Sequence, residues 1–184
     1  MATETKLRQL VQDGCPVYYF YSSERYLVRQ AVAKAANLLA EGEDEETTVL
    51  DGVAPEIEQL IMAAGTISFF GTRRVVVLPE IDPATYSDKD LEELCNTLAS
   101  LENAVVVLGS VFELERNKLK LSKRAQKLIN QCTKLGFAEE LAKPKPYELK
   151  VMMIDRAKAQ GATLPESAAA ALLERCGEDP FLLE

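Results

Sequence analysis

Two spacings of apolar residues alternate along the chain. Val17-Tyr18-Tyr19-Phe20-Tyr21 is a short aromatic and β-branched run after Gly14 and Pro16, and it reads as a buried strand. Ser22-Ser23-Glu24 then offers a hydroxyl to cap a helix and an acid for its first turn. Leu27, Ala31, Ala35, Leu38 and Leu39 follow at helical spacing, Gly42 ends that helix, and Glu41 to Glu46 form an acidic loop. Thr47-Thr48-Val49-Leu50 is a second short strand. Ile57, Leu60, Ile61 and Ala64 mark a second helix with Gly65 as its C-cap.

A turn holding Phe69 and Phe70 precedes the next strand, Arg74 to Leu78, which Pro79 stops. Ser87 with Asp90 three residues on resembles a capping box and opens a helix carrying Leu91, Leu94, Leu98 and Leu101. Ala104-Val105-Val106-Val107-Leu108 is wholly apolar, the pattern of a parallel strand covered on both faces. Leu121, Ala125, Leu128, Ile129 and Cys132 give an amphipathic helix, and Leu135-Gly136-Phe137-Ala138 a final strand. Alternating strands and helices predict an open parallel α/β sheet with right-handed crossovers.

Lys143-Pro144-Lys145-Pro146 breaks this rhythm and reads as a hinge between residues 1–142 and residues 143–184. Beyond it only helices are expected. Leu149, Met152, Met153 and Ala157 line one, ended by Gly161; Pro165 starts another, with Ala169, Leu172, Leu173 and Cys176 inward and Gly177 closing it. Asp179-Pro180 has the form of a helix start, four residues before the sequence stops at Glu184. One turn is not stable alone, so the sequence reads as a fragment cut at a third helix of the second domain.

Composition narrows the chemistry. The 184 residues are 47% apolar and carry a net charge of −8, which argues against a protein devoted to gripping a phosphate backbone. No histidine is present, which removes imidazole bases, Ser-His-Asp and Cys-His arrangements and the HExxH metal helix. Cys15, Cys95, Cys132 and Cys176 are widely spaced, unlike a zinc site, and read as reduced core thiols of a cytoplasmic protein. No signal peptide or membrane-length apolar run is seen.

The loop after the first strand is the natural ligand site of such a sheet. A nucleotide hydrolase would carry G-x-x-x-x-G-K-[ST] there; this chain has Ser22-Ser23-Glu24-Arg25-Tyr26-Leu27-Val28. No glycine lets the backbone wrap phosphates, no lysine meets them, and Glu24 puts a negative charge in their place. The same residues lack the acidic pair of a phospho-acceptor receiver domain. Glu80, after the third strand, has nothing to pair with and reads as a solvated loop acid rather than a metal carboxylate. Neither a metal nor a cofactor is expected.

Several stretches, in order, resemble the delta-subunit family of bacterial DNA polymerase III clamp loaders. They are Tyr18-Tyr19-Phe20-Tyr21-Ser22-Ser23-Glu24-Arg25-Tyr26-Leu27-Val28, then Ser68-Phe69-Phe70-Gly71-Thr72-Arg73-Arg74-Val75-Val76-Val77-Leu78, then Asn117-Lys118-Leu119-Lys120-Leu121. Arg156-Ala157-Lys158-Ala159-Gln160-Gly161, Leu172 and Gly177-Glu178-Asp179 continue the match. The family usually has a glycine near Ser22; this chain does not. The resemblance implies an AAA+-like clamp-binding domain over 1–142 without a working nucleotide site, and the start of a small helical lid-type domain over 143–184. It also implies a C-terminal collar domain, outside this sequence, that assembles with gamma/tau and delta prime subunits. DNA would be met only indirectly within the complex, and no membrane is involved.

By the same resemblance, the beta sliding clamp is held through Ser68, Phe69 and Phe70, and is opened without the subunit's own ATP hydrolysis. No intrinsic catalytic activity is expected. Composition alone would bury both rings under the third strand; the resemblance exposes Phe70, with Phe69 half packed. Arg73 and Arg74 read as solvated charges at the start of the strand. An alternative is a nucleic-acid-binding module acting through a basic helix over 118–127, with Lys120, Lys123, Arg124 and Lys127 at i, i+3, i+4, i+7. A solvated helix face explains the same spacing.

Overall fold

The computed structural model describes residues 4–41, 47–65 and 74–177. Unit one, Met1–Ala142, is built in chain order from α1 (Glu4–Gln12), β1 (Val17–Ser22), α2 (Arg25–Leu39), β2 (Thr47–Val49), α3 (Ile57–Gly65) and β3 (Arg74–Leu78). It continues through α4 (Asp88–Ala99), β4 (Ala104–Val111), a small hairpin β5 (Leu114–Glu115) and β6 (Lys118–Leu119), α5 (Lys123–Leu135) and β7 (Phe137–Glu140). Unit two, Lys143–Glu184, holds α6 (Pro146–Ala159) and α7 (Glu166–Cys176).

The main sheet is parallel, in the order β2-β3-β4-β1-β7. Successive residues of its strands face opposite sides, and both sides are covered. Tyr18, Phe20, Val75, Val77, Val105 and Val107 pack with α1 and α2. Val17, Tyr19, Val76, Leu78, Val106 and Leu108 pack with α3, α4 and α5. This two-sided burial is why β4 reads as an unbroken apolar run. Each fully buried valine there contributes about 1.5–3 kcal/mol of apolar transfer.

Helix ends follow local chemistry. Ser87 Oγ accepts from Asp90 N at 3.1 Å and caps α4, as the sequence predicts. Ser122 caps α5 by accepting from Ala125 N. In unit two, Glu148 accepts from Lys145 N at 2.6 Å, an acid reaching back over the first turn of α6. Leu149, Met153 and Ala169 are buried there.

Some expectations are corrected. Helix α2 ends at Leu39 with Ala40 as C-cap, short of Gly42, which lies outside the described residues. Its N-cap is Glu24, without a side-chain cap bond, rather than a serine hydroxyl. Leu121 precedes α5 instead of lying in it. Helix α1, whose spacing Leu7, Leu10 and Val11 carry, and the β5–β6 hairpin are additions to the expected elements. Asp179-Pro180 lies outside the described residues.

Candidate functional site

The strand order reverses at β1, which lies between β4 and β7, so ligands of such sheets enter at the carboxyl ends of β1 and β4. Here that crevice is stitched to its own chain. Ser22, fully buried, donates its hydroxyl to the Leu141 carbonyl at 2.6 Å and accepts from Glu24 N at 3.2 Å. The Ser22 carbonyl accepts from Phe112 N at 2.8 Å, and Leu141 N donates to Tyr21 O at 2.8 Å. The turn from β1 to α2 thus spends its polar groups on the ends of β4 and β7.

Beneath it, Tyr19 OH donates to Ser110 Oγ at 2.7 Å, and Ser110 donates to the Ile81 carbonyl at 2.7 Å. Burial pushes the Tyr19 phenol far above its ordinary range, so it keeps its proton at any physiological pH. The relay fixes the end of β4 against the chain leaving β3; a neutral phenol there is no general base. Among the described residues, no group of three or more Cys, Asp or Glu could hold a metal ion.

Glu80 is neither a lone metal carboxylate nor a solvated acid. Its oxygens meet Arg25 at 2.7 Å and Arg29 at 3.5 Å, and its side chain is only 20% exposed. Both arginines lie one turn apart on the outer side of α2. Arg25 sits in the first turn, where the helix dipole disfavours a cation. Glu80 offsets that penalty from the far end of β3. Gly109 permits the approach: a Cβ there would collide with the Pro79 carbonyl and with the Val28 side chain of α2.

The basic stretch is not one helix over 118–127. Lys118 lies in β6, Lys120 in the link, and only Lys123 onward is helical, because Ser122 takes the cap position. Arg124 Nε donates to Asp88 Oδ1 at 2.7 Å and its Nη1 to the Ala84 carbonyl at 3.1 Å, tying α5 to the start of α4. Arg74 is half-buried, with its Nε enclosed, instead of solvated.

Ser68, Phe69, Phe70 and Arg73 lie outside the described residues, on the 66–73 connection between α3 and β3. Ile61, on the helix leading into that connection, is 46% exposed.

Over 158 residues, 84% of the chain, it is 27% identical to the Bacillus subtilis (strain 168) protein named DNA polymerase III subunit delta. The chain is similar to a DNA polymerase III delta subunit. It spans 45% of that relative's length. The solved Bacillus subtilis DNA clamp loader delta protein superposes with a TM-score of 0.59 at 24% identity, covering 93% of this chain and 52% of that one. The Thermotoga maritima RuvB Holliday junction branch migration motor matches equally in shape, TM-score 0.59 at 14% identity, over 98% of this chain and 57% of its own. No family model matches. The fold is AAA+-like, a five-stranded parallel sheet with flanking helices followed by helices, as the delta-type resemblance implies. No described helix is long and apolar enough to cross a membrane.

Proposed function

We propose that the chain is the clamp-engaging part of a clamp-loader delta subunit, binding and opening the beta sliding clamp in DNA replication without hydrolysing ATP. The observation that carries this reading is the ordered likeness to the Bacillus delta subunit over 84% of the chain. Residues 1–142 act as the clamp-binding domain with a degenerate nucleotide site, and residues 143–184 begin a lid-type helical domain. The turn supports the absence of nucleotide chemistry, because Glu24 N is held by Ser22 Oγ and the neighbouring Arg25 is paired with Glu80, so neither is left for a phosphate.

Ser68, Phe69 and Phe70 form the contact. Two phenyl rings entering an apolar pocket contribute roughly 1.5–3 kcal/mol each, and aromatic anchors in pockets are frequent hot spots. Opening follows if the chain binds the distorted ring more tightly than the closed one. Assembly with gamma/tau and delta prime subunits, through a collar domain, places the protein in the cytoplasm, with DNA met inside the complex. A pull-down on an immobilised bacterial sliding clamp tests the site. The parent should be retained and Phe69→Ala/Phe70→Ala should not. Equal retention of the double variant removes the site, and a folded parent that is not retained removes the function.

A further inference from the structure

Helices α1 and α2 pack on the same face of the sheet and flank a groove of about 530 Å³. Its floor is apolar: Leu7 of α1, Phe20 of β1, Leu38 of α2 and Leu141 just after β7 are all buried. Its rim is polar, and Arg8 and Lys34 offset Glu41 and Glu139 in charge. Arg8 donates to both carboxylate oxygens of Glu41, at 2.8 and 3.3 Å, and so joins α1 to the chain leaving α2. Gln30, Ala33, Lys34 and Asn37 follow i, i+3, i+4, i+7 spacing and turn one side of α2 to the opening.

The groove runs beside an edge of the sheet. Strand β7 is last in the strand order and, among the described strands, pairs with β1 alone. Leu141 N donates to Tyr21 O, so by the alternation of a parallel ladder Phe137, Glu139 and Leu141 turn their backbone groups toward β1. Ala138 and Glu140 turn theirs to the outer edge, where no described strand takes them. Helix α1 covers the start of β7, with Lys6 Nζ 4.8 Å from the centre of the Phe137 ring. At the other end, Glu139 and Leu141 line the groove. Outward backbone groups beside an apolar trough are what strand addition requires: the main chain supplies affinity and the trough supplies specificity.

We propose that an extended peptide of a partner protein adds to the outer edge of β7, with an apolar side chain in the groove and basic side chains facing Glu139 and Glu140. A short strand bearing charges resists self-pairing, and a second copy of β7 laid along this edge would set acid against acid. A basic strand meets the same acids favourably. The net charge of −8 favours it further by drawing a basic partner in. The Asn37 amide, on the rim, offers a donor and an acceptor to the peptide main chain. This site does not rest on the clamp contact.

Amide hydrogen exchange followed by NMR, with the blocked pentapeptide acetyl-valyl-lysyl-lysyl-leucyl-valine amide as probe, tests this. The peptide at millimolar concentration should slow exchange at Ala138 and Glu140 and leave Glu139 and Leu141, already bonded to β1, unchanged. Replacing its leucine by serine should weaken binding about tenfold or more. Glu139→Lys/Glu140→Lys should weaken it about threefold to tenfold. Ala33→Phe, which fills the groove from an exposed position on α2, should weaken it about tenfold. No slowing at Ala138 and Glu140, or equal binding by both of these variants, overturns the proposal. So does equal binding of a peptide whose lysines are replaced by glutamates. Slowing that appears without peptide as the protein is concentrated also overturns it, since that would put a second copy of the chain on the edge.

Discussion

Helices α2 and α5 begin alike and end up doing opposite things. Each carries a cation in its first turn and another four residues on: Arg25 and Arg29 in α2, Lys123 and Lys127 in α5. On α2 both charges converge on Glu80, brought in from the end of β3. On α5 neither lysine has an ion-pair partner among the described residues. The same sequence pattern is internal structure in one place and open surface in the other. What separates them is a tertiary neighbour.

The largest effect should come from removing the close approach that makes the α2 arrangement possible. Gly109→Ala puts a methyl group into the Pro79 carbonyl and Val28, and should cost about 1–3 kcal/mol of stability, read by urea unfolding. An unchanged midpoint would mean that α2 and the end of β3 are less tightly joined than described. Glu80→Ala should cost about 1 kcal/mol, kept small because Arg25 and Arg29 are 63% and 65% exposed. It should also turn the arginine pair into an anion site, so that sulfate stabilises this variant more than the parent; equal response to sulfate would argue against the pairing.

Smaller effects separate the two helices by sign. Arg25→Ala should lose about 0.5 kcal/mol, while Lys123→Ala, also in a first turn, should gain about 0.3–0.5 kcal/mol. Thermal melts that moved both variants the same way would erase the contrast. The third cation near the start of α5, Arg124, resembles the α2 case. Its guanidinium, by hydrogen bond first and charge second, holds the Asp88 carboxyl below the usual aspartate range. A lowered carboxyl favours the folded state above its unfolded value, and that help is lost as pH falls through the folded value. An NMR titration should find Asp88 ionising below ordinary aspartates and returning upward in Arg124→Ala. An Asp88 that does not move would break the tie between α4 and α5.

Sequence patterning carried the sheet well. The Ala104–Leu108 run and the Ser87–Asp90 cap depend on residues next to one another, so their structure is local and visible. The errors lie where distant groups decide. Ser22 reads as a cap, but the Leu141 carbonyl on the far side of the chain claims its hydroxyl and draws it into the core. Glu80 reads as unpaired because its partners sit on α2. The hairpin at Arg116-Asn117 lacks the glycine that usually marks such a turn, and with Leu114 and Leu119 alone its alternation is too sparse to stand out. Helix α1 was legible in Leu7, Leu10 and Val11. The clamp contact proposed for Ser68, Phe69 and Phe70 rests on the family resemblance, since their segment lies outside the described residues.

Calorimetric titration of a bacterial sliding clamp into the chain, with and without ATP and magnesium, tests the proposed nucleotide-independent clamp contact. Binding should be of equal affinity in both conditions and lost in Phe69→Ala/Phe70→Ala. Binding that requires the nucleotide, or that survives the double substitution, would contradict it.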